Sequence, residues 1–260
     1  MSFGAPKLFS RITSIFMLAM LIIAVPFFYV TFTMWNAFNS GSLYNYSFSH
    51  YDADQVTGID NAQLKLAGRD LIKYFNDDRL YLDTRVTVNG QSQRLFNERE
   101  ILHMRDVKSL VVHLLHWGLW ASALYIAVFI VVGYTLWQRR MLVILARGFF
   151  LGSFVTLIMI AAITLSAVIG FDAVFTKFHT ISFSNDLWQL DPSRDKLIQM
   201  FPESFFRDAV LLVGGICILM SLVFGSLAHL FLRRNGERIS LLAELHPPQN
   251  VSEVPSAQKG

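Results

Sequence analysis

Four long apolar blocks dominate this chain: residues 13–36, 110–136, 148–171 and 208–232. A helix needs about 20 residues to cross the hydrocarbon of a bilayer. Only helices or closed barrels satisfy their backbone polar groups there. The blocks are unbroken apolar runs and lack the alternation of barrel strands. Their number argues against buried helices of a soluble protein. Charged residues make up 16% of the chain, against roughly 25% in soluble domains. The expectation is an all-α membrane protein, a four-transmembrane-helix bundle with a small extracytoplasmic α/β cap.

The first block follows Lys7 and Arg11 and resembles a signal peptide. It is too long for an ordinary signal core and no small-x-small cleavage site follows, so it reads as an uncleaved span. Basic residues near span ends then set the orientation. The N-terminal tail and the connection 137–147 (Arg139, Arg140, Arg147) are basic without acids, and the last span is followed at once by Arg233, Arg234 and Arg238. These read as cytoplasmic, with both termini inside and 233–260 a disordered cytoplasmic tail. Segments 39–109 and 172–207 carry many acids and read as extracytoplasmic. The net charge of +3 is thus mostly a topology signal. It gives no case for nucleic acid, and it favours anionic phospholipid headgroups. The sole cysteine, Cys217, lies in the last span and reads as a packing residue.

Within the first outer segment, 39–58 is polar and punctuated by Gly41 and Gly58, which predicts a loop or irregular arm. Asp60 caps a predicted amphipathic helix at 61–77. Asn89-Gly90 predicts the turn of a β-hairpin within 81–96. Asn97 and Glu100 have capping-box spacing, so a helix starts there and runs into the second span, with 98–109 as its outer extension. In the second outer segment, Phe171, Phe175 and Phe178 carry the third span on to about residue 180. Asp191-Pro192 predicts a short helix at 192–200, broken by Phe201-Pro202 before the last span.

Two histidines stand at the mouths of spans. His103 has Asp106 three residues on and Glu100 three before, spacings that let helical side chains meet. A carboxylate beside an imidazole can fix its tautomer and raise its basicity, as a general base requires. His179 has Asp172 on about the same helical face, with Asp186 and Asp191 close in sequence. If the second and third spans pack as antiparallel neighbours, both histidines face one cleft. Lys108 lies nearer the membrane and is a candidate to hold a lipid phosphate or glycerol oxygen. His113 and His116 face opposite sides of the second span's start. Four readings remain open on residue types alone. The histidines are an acid–base or oxyanion pair for acyl chemistry on a lipid ester. They are metal ligands, although no HExxH or comparable spacing exists. They recognise a lipid or protein without chemistry. They tie the outer segments to the bundle by hydrogen bonds. No GxSxG context marks a serine nucleophile.

The stretches NEREILHMRDVK and FDAVFTKFHTISFSNDLWQLDPSRDKLIQMFPESFFRDA resemble the bacterial integral membrane family of the lipoprotein intramolecular transacylase. The resemblance covers nearly all of the first 235 residues. It implies an enzyme acting on diacylglyceryl-modified bacterial lipoproteins. The sn-2 acyl chain moves to the α-amino group of the lipoprotein's N-terminal cysteine, giving the lyso-form. The family's catalytic histidines fall on His103 and His179, and the implied reaction makes Arg99 and Lys108 candidates to position carbonyl or glycerol oxygens, with Trp188 a further substrate-binding candidate. His103, helped by Asp106 or Glu100, is cast as base. His179 then polarises the carbonyl, and the two roles are interchangeable. Neither cofactor nor metal is implied. The alternatives are a lipid-ester hydrolase, an acyltransferase on another lipid, or a non-enzymatic lipoprotein- or lipid-binding module.

Overall fold

The structure is a computed structural model that describes residues 5–135 and 139–245. Four of its helices are long and apolar enough to cross a membrane. The first, α1, spans Ala5–Phe38. A cap follows, made of α2 (Gly41–His50), α3 (Ala53–Thr57), α4 (Asn61–Asn76), β1 (Arg85–Val88) and β2 (Gln91–Arg94). Helix α5 (Glu98–Leu110) runs through a π-helical turn at Val111–His116 into α6 (Trp117–Thr135). Then come α7 (Arg139–Ser182), the short α8 (Lys196–Met200) and α9 (Glu203–Leu245).

Most of the predicted elements are present, with adjusted ends. Asp60 accepts a hydrogen bond from the Ala62 amide and starts α4. Asn89 and Gly90 both have left-handed φ, 52° and 78°, the backbone that a two-residue hairpin turn requires. The paired strands are shorter than the predicted 81–96 region. The third span reaches Ser182, as the phenylalanine spacing predicts, but departs from helical geometry at Gly170.

Several expectations are corrected. The segment 39–58 is helical, not an irregular arm. Ser40 caps α2 through the Leu43 amide. Tyr44, Ser47 and Phe48 recur at helical spacing and are buried against the cap core. That tertiary burial outweighs a polar composition. Gly58, at φ 69°, ends α3. The predicted helix at 192–200 begins only at Lys196, because Asp191 and Pro192 are spent on turns that end at Arg194 and Asp195. The connection placed at 137–147 is helical from Arg139, and the tail placed at 233–260 is helical to Leu245. Residues 136–138 and 246–260 lie outside the described residues.

Helix packing also differs from the expectation of adjacent second and third spans. The main partners of α7 are α9 and α1, and α1 also packs on α6; α6 and α7 meet only over a short stretch. Small residues explain why α1 and α7 run so close. A Cβ built on Gly148 would lie 2.6 Å from the Leu21 side chain, and one on Gly152 would lie 2.7 Å from Val25 Cβ. Close backbone approach of this kind drives helix association in lipid, where hydrophobic burial gives little. Gly152→Ile is expected to force α1 and α7 apart and to cost about 1–3 kcal/mol, read as a lowered thermal midpoint in detergent. Cys217 is buried in the same bundle, with its Sγ 3.7 Å from Thr33 Oγ1.

The cap has its own core. Tyr44, Phe48, Leu64, Leu71, Tyr74, Phe75, Val86 and Phe96 pack there with Met104 of α5 and Met200 of α8. The base of α5 therefore stands inside the cap, which orients everything that follows on that helix.

Candidate active site

The first turn of α5 is fastened before His103 is reached. Asn97 and Glu100 form the predicted capping box: Asn97 Oδ1 accepts from the Glu100 amide, and Glu100 Oε2 accepts from the Asn97 amide at 2.7 Å. The other Glu100 oxygen accepts from the Leu197 amide at 2.6 Å. Asn97 Nδ2 also donates to Asp195 Oδ1 at 2.9 Å. Glu100 is thus fully engaged by backbone and does not hydrogen-bond His103. His103 lies within the same short helix, 6% exposed. Its Nδ1 is buried and has no hydrogen-bond partner.

His179 occupies the last turn of α7 and is 8% exposed. Its Nδ1 lies 2.7 Å from the Phe175 carbonyl. A carbonyl oxygen only accepts, so Nδ1 carries the proton. In the neutral ring Nε2 then presents its lone pair. The two imidazole rings are 6.1 Å apart, centroid to centroid, and tilted by 36°. Phe175 lies 4.2 Å from the His179 ring, and Trp188 stacks on it at 5.0 Å. Phe183 contacts both, at 5.3 Å from His103 and 5.8 Å from His179. Aromatic walls exclude water and strengthen whatever polar interactions form inside.

The candidate helpers are distributed differently from the simple sequence pairing. Asp106 is within electrostatic reach of His103. Its oxygens, however, bind Arg105 at 3.1 Å and Asn185 Nδ2 at 2.9 Å. Asp172 lies within electrostatic reach of the Glu203 carboxyl at the start of α9. Asp186 contributes its backbone carbonyl, which accepts from the Arg99 guanidinium. Asp191 closes its own turn. Hydrogen bonds from the Ser193 hydroxyl and amide hold its carboxyl below the usual range.

Among the proposed substrate ligands, Arg99 keeps a buried Nε with no partner. Lys108 is committed elsewhere: it donates to the carbonyls of Asp77 and Arg79, both at 2.6 Å, and sits 4.3 Å over the Tyr74 ring. Trp188 lines the pair directly. His116 is apart from it, among Trp35, Trp117 and Trp120. Among the described residues, no cluster of three or more His, Cys, Asp or Glu side chains has the arrangement to hold a metal.

Phe183 and Asn185 were not singled out from sequence as parts of the site. Asn185 does carry a local turn signal, since its Oδ1 accepts from the Leu187 amide. Its contact with Asp106, far back in the chain, has no sequence signature.

The model of the lipoprotein intramolecular transacylase family, Lit, matches residues 15–206. The chain belongs to that family. The match takes in both histidines and all of the segment between α7 and α9. The protein is an enzyme of the membrane, a lipoprotein intramolecular transacylase. The fold agrees with the in meso structure of the membrane integral lipoprotein intramolecular transacylase Lit from Bacillus cereus. That match has a TM-score of 0.71 at 21% identity over 86% of this chain and 98% of that one. A variant of the Bacillus cereus protein with a histidine replaced by arginine matches at TM-score 0.68 and 20% identity, over 90% of this chain and 98% of that one. No match was found among curated protein sequences. Within the Lit family fold, then, this member places two buried imidazoles at the cap end of the helix bundle.

Proposed function

We propose that His103 and His179 together move the sn-2 acyl chain of a diacylglyceryl-modified lipoprotein onto the α-amino group of its N-terminal cysteine. The observation that carries this reading is the 6.1 Å separation of two buried imidazoles from distant parts of the chain. The amine nitrogen attacks the ester carbonyl carbon, forming a C–N bond. The C–O bond to glycerol then breaks. One proton passes from the amine to a histidine, and one is returned to the departing glycerol oxygen. The product is an N-acyl, S-monoacylglyceryl lipoprotein, an isomer of the substrate. No water, nucleotide, coenzyme or metal enters the balance.

The geometry favours His179 as the proton acceptor. Its Nδ1–H is held by the Phe175 carbonyl, which aims the Nε2 lone pair elsewhere in the site. His103 then donates a hydrogen bond to the developing oxyanion, and the proton taken by His179 is the one returned to the leaving oxygen, reversing the first assignment of roles from sequence. Asp106 adjusts the field at His103, and the free Nε–H of Arg99 is available to the ester carbonyl. Amine and ester belong to one molecule, so effective concentration supplies much of the rate.

The cap end is assigned to the extracytoplasmic side, since the basic residues flanking the spans gather at the opposite end. The substrate's remaining chain lies with membrane phospholipid, against the apolar faces of α6 and α7. Leu124 and Ile169 are among the residues exposed there, at 64% and 78%.

A crossover experiment tests this function. Two diacylglyceryl peptides are mixed, one labelled in both its sn-2 chain and its peptide. The expected product has unchanged mass, gains an alkali-stable amide, and keeps each label on its own peptide by fragmentation mass spectrometry. Scrambled labels indicate transfer between molecules, and free fatty acid indicates a hydrolase; either outcome overturns the proposal.

A further inference from the structure

The spacing of the two histidines has no support from direct helix packing. His103 belongs to α5, which is continuous with α6, whereas α7 packs on α1 and α9; α5 and α7 share no extended interface. The rings nonetheless stand 6.1 Å apart. The strap that leaves the end of α7 has the required contacts.

We propose that Phe183–Trp188 is a clamp that sets the separation of His103 and His179, and that Asn185 is the positioning residue through which it grips α5. The proposal rests on the reading of these histidines as the reacting pair.

The strap starts on His179 itself: the Phe183 amide donates to the His179 carbonyl at 2.9 Å. The Phe183 ring then lies edge-on to His103. The next contacts grip α5 on both sides of His103. Asp106, three residues after it, accepts from Asn185 Nδ2 at 2.9 Å. Arg99, four residues before it, donates to the Asp186 carbonyl. Both Arg99 and Asp106 fall close to the His103 face of the helix. The strap finally returns Trp188 to stack on His179. The circuit therefore begins and ends on one histidine and brackets the other.

Asn185 is oriented for this task. Its Oδ1 accepts from the Leu187 amide at 3.0 Å, so the NH2 group must be the side that faces Asp106. The second Asp106 oxygen is held by Arg105 at 3.1 Å. The carboxylate is thus fixed at both ends, one turn from His103. Asn185 is exposed, and the Arg105–Asp106 pair is 39% and 20% exposed. Polar contacts this wet contribute little to folding. Their loss should appear in reaction geometry, where a displacement of about 1 Å can cost on the order of 10²-fold in rate.

The test uses the full chain in lipid nanodiscs with a diacylglyceryl peptide as substrate. Asn185→Ala is expected to lower kcat by about tenfold or more while KM stays within about threefold, with an unchanged thermal midpoint. Asn185→Gln, which keeps the amide donor at an exposed site, is expected to recover most of that loss. The Asn185→Ala, Asp106→Ala double variant should be no slower than Asp106→Ala alone, because the two residues act as one unit. A wild-type kcat in Asn185→Ala, a glutamine variant as slow as alanine, or losses that multiply in the double variant would overturn the clamp. Activity surviving in His103→Ala is a different result, since it removes the reading of the pair and not the contact between Asn185 and Asp106.

Discussion

His103→Ala and His179→Ala are each expected to slow acyl transfer by about 10²–10⁴-fold, the range that a positioned proton-transfer group supplies. The expected loss is large because the reaction needs a proton moved at both of its ends. The nucleophile is an amine of the substrate, which must shed a proton as it attacks. The leaving glycerol oxygen must gain one. The Nδ1 of His179 is tied to the Phe175 carbonyl, so only its Nε2 can accept. Two groups that work on one proton inventory are not independent. The double variant is therefore expected to be little slower than either single one. Folding should survive, because the bundle core lies elsewhere, around Val25, Tyr29, Ile160 and Cys217. The check is product formation by fragmentation mass spectrometry, alongside membrane insertion and thermal midpoint. A single variant that keeps more than a tenth of the wild-type rate would show that the site is wrongly placed.

Glu100→Ala is the second large effect, and it acts on the fold. Glu100 is 1% exposed, and its two carboxylate oxygens accept from the Asn97 and Leu197 amides. Alanine leaves both donors unpaired, at about 1–3 kcal/mol for each buried group. It also cuts the tie between the first turn of α5 and α8. The combined cost is about 2–5 kcal/mol, and the segment that carries Phe183, Asn185 and Trp188 loses its anchor at the far end. Glu100→Gln keeps the volume and one acceptor but turns an NH2 toward one of the amides. It should fall between wild type and alanine. The thermal midpoints of the three proteins test the order. If Glu100→Gln is as stable as wild type and Glu100→Ala as active, the residue is not the structural bolt described here.

The division between what was legible and what was not follows the range of the forces involved. Span number and helix starts are local properties. Asn97, Glu100, Asp60 and the Asn89-Gly90 turn announce their roles within four residues, because caps and turns are closed by near neighbours. The helical nature of 39–58 was hidden for the opposite reason: Tyr44 and Phe48 gain their stability from Phe201, more than 150 residues away. Glu100 shows both sides in one residue. Its capping partner could be read from spacing, and its Leu197 partner could not. Lys108 likewise has a charge visible in the sequence and a destination, the Asp77–Arg79 turn, that only the folded cap supplies.

The sequence by itself determined that the chain spans a membrane four times, that two histidines stand at span ends, and that its motifs resemble a transacylase family. Hydropathy and local capping are additive along the chain, so they need no coordinates. The tertiary structure alone decided that the imidazoles approach to 6.1 Å, that α1 rather than α6 is the main neighbour of α7 besides α9, and that the carboxylates beside the histidines bind other groups. Those outcomes depend on which backbones can come close and which polar groups remain to be satisfied once they do. Gly148 and Gly152 settle the first against α1. Asn185, Arg105 and the Leu197 amide settle the second.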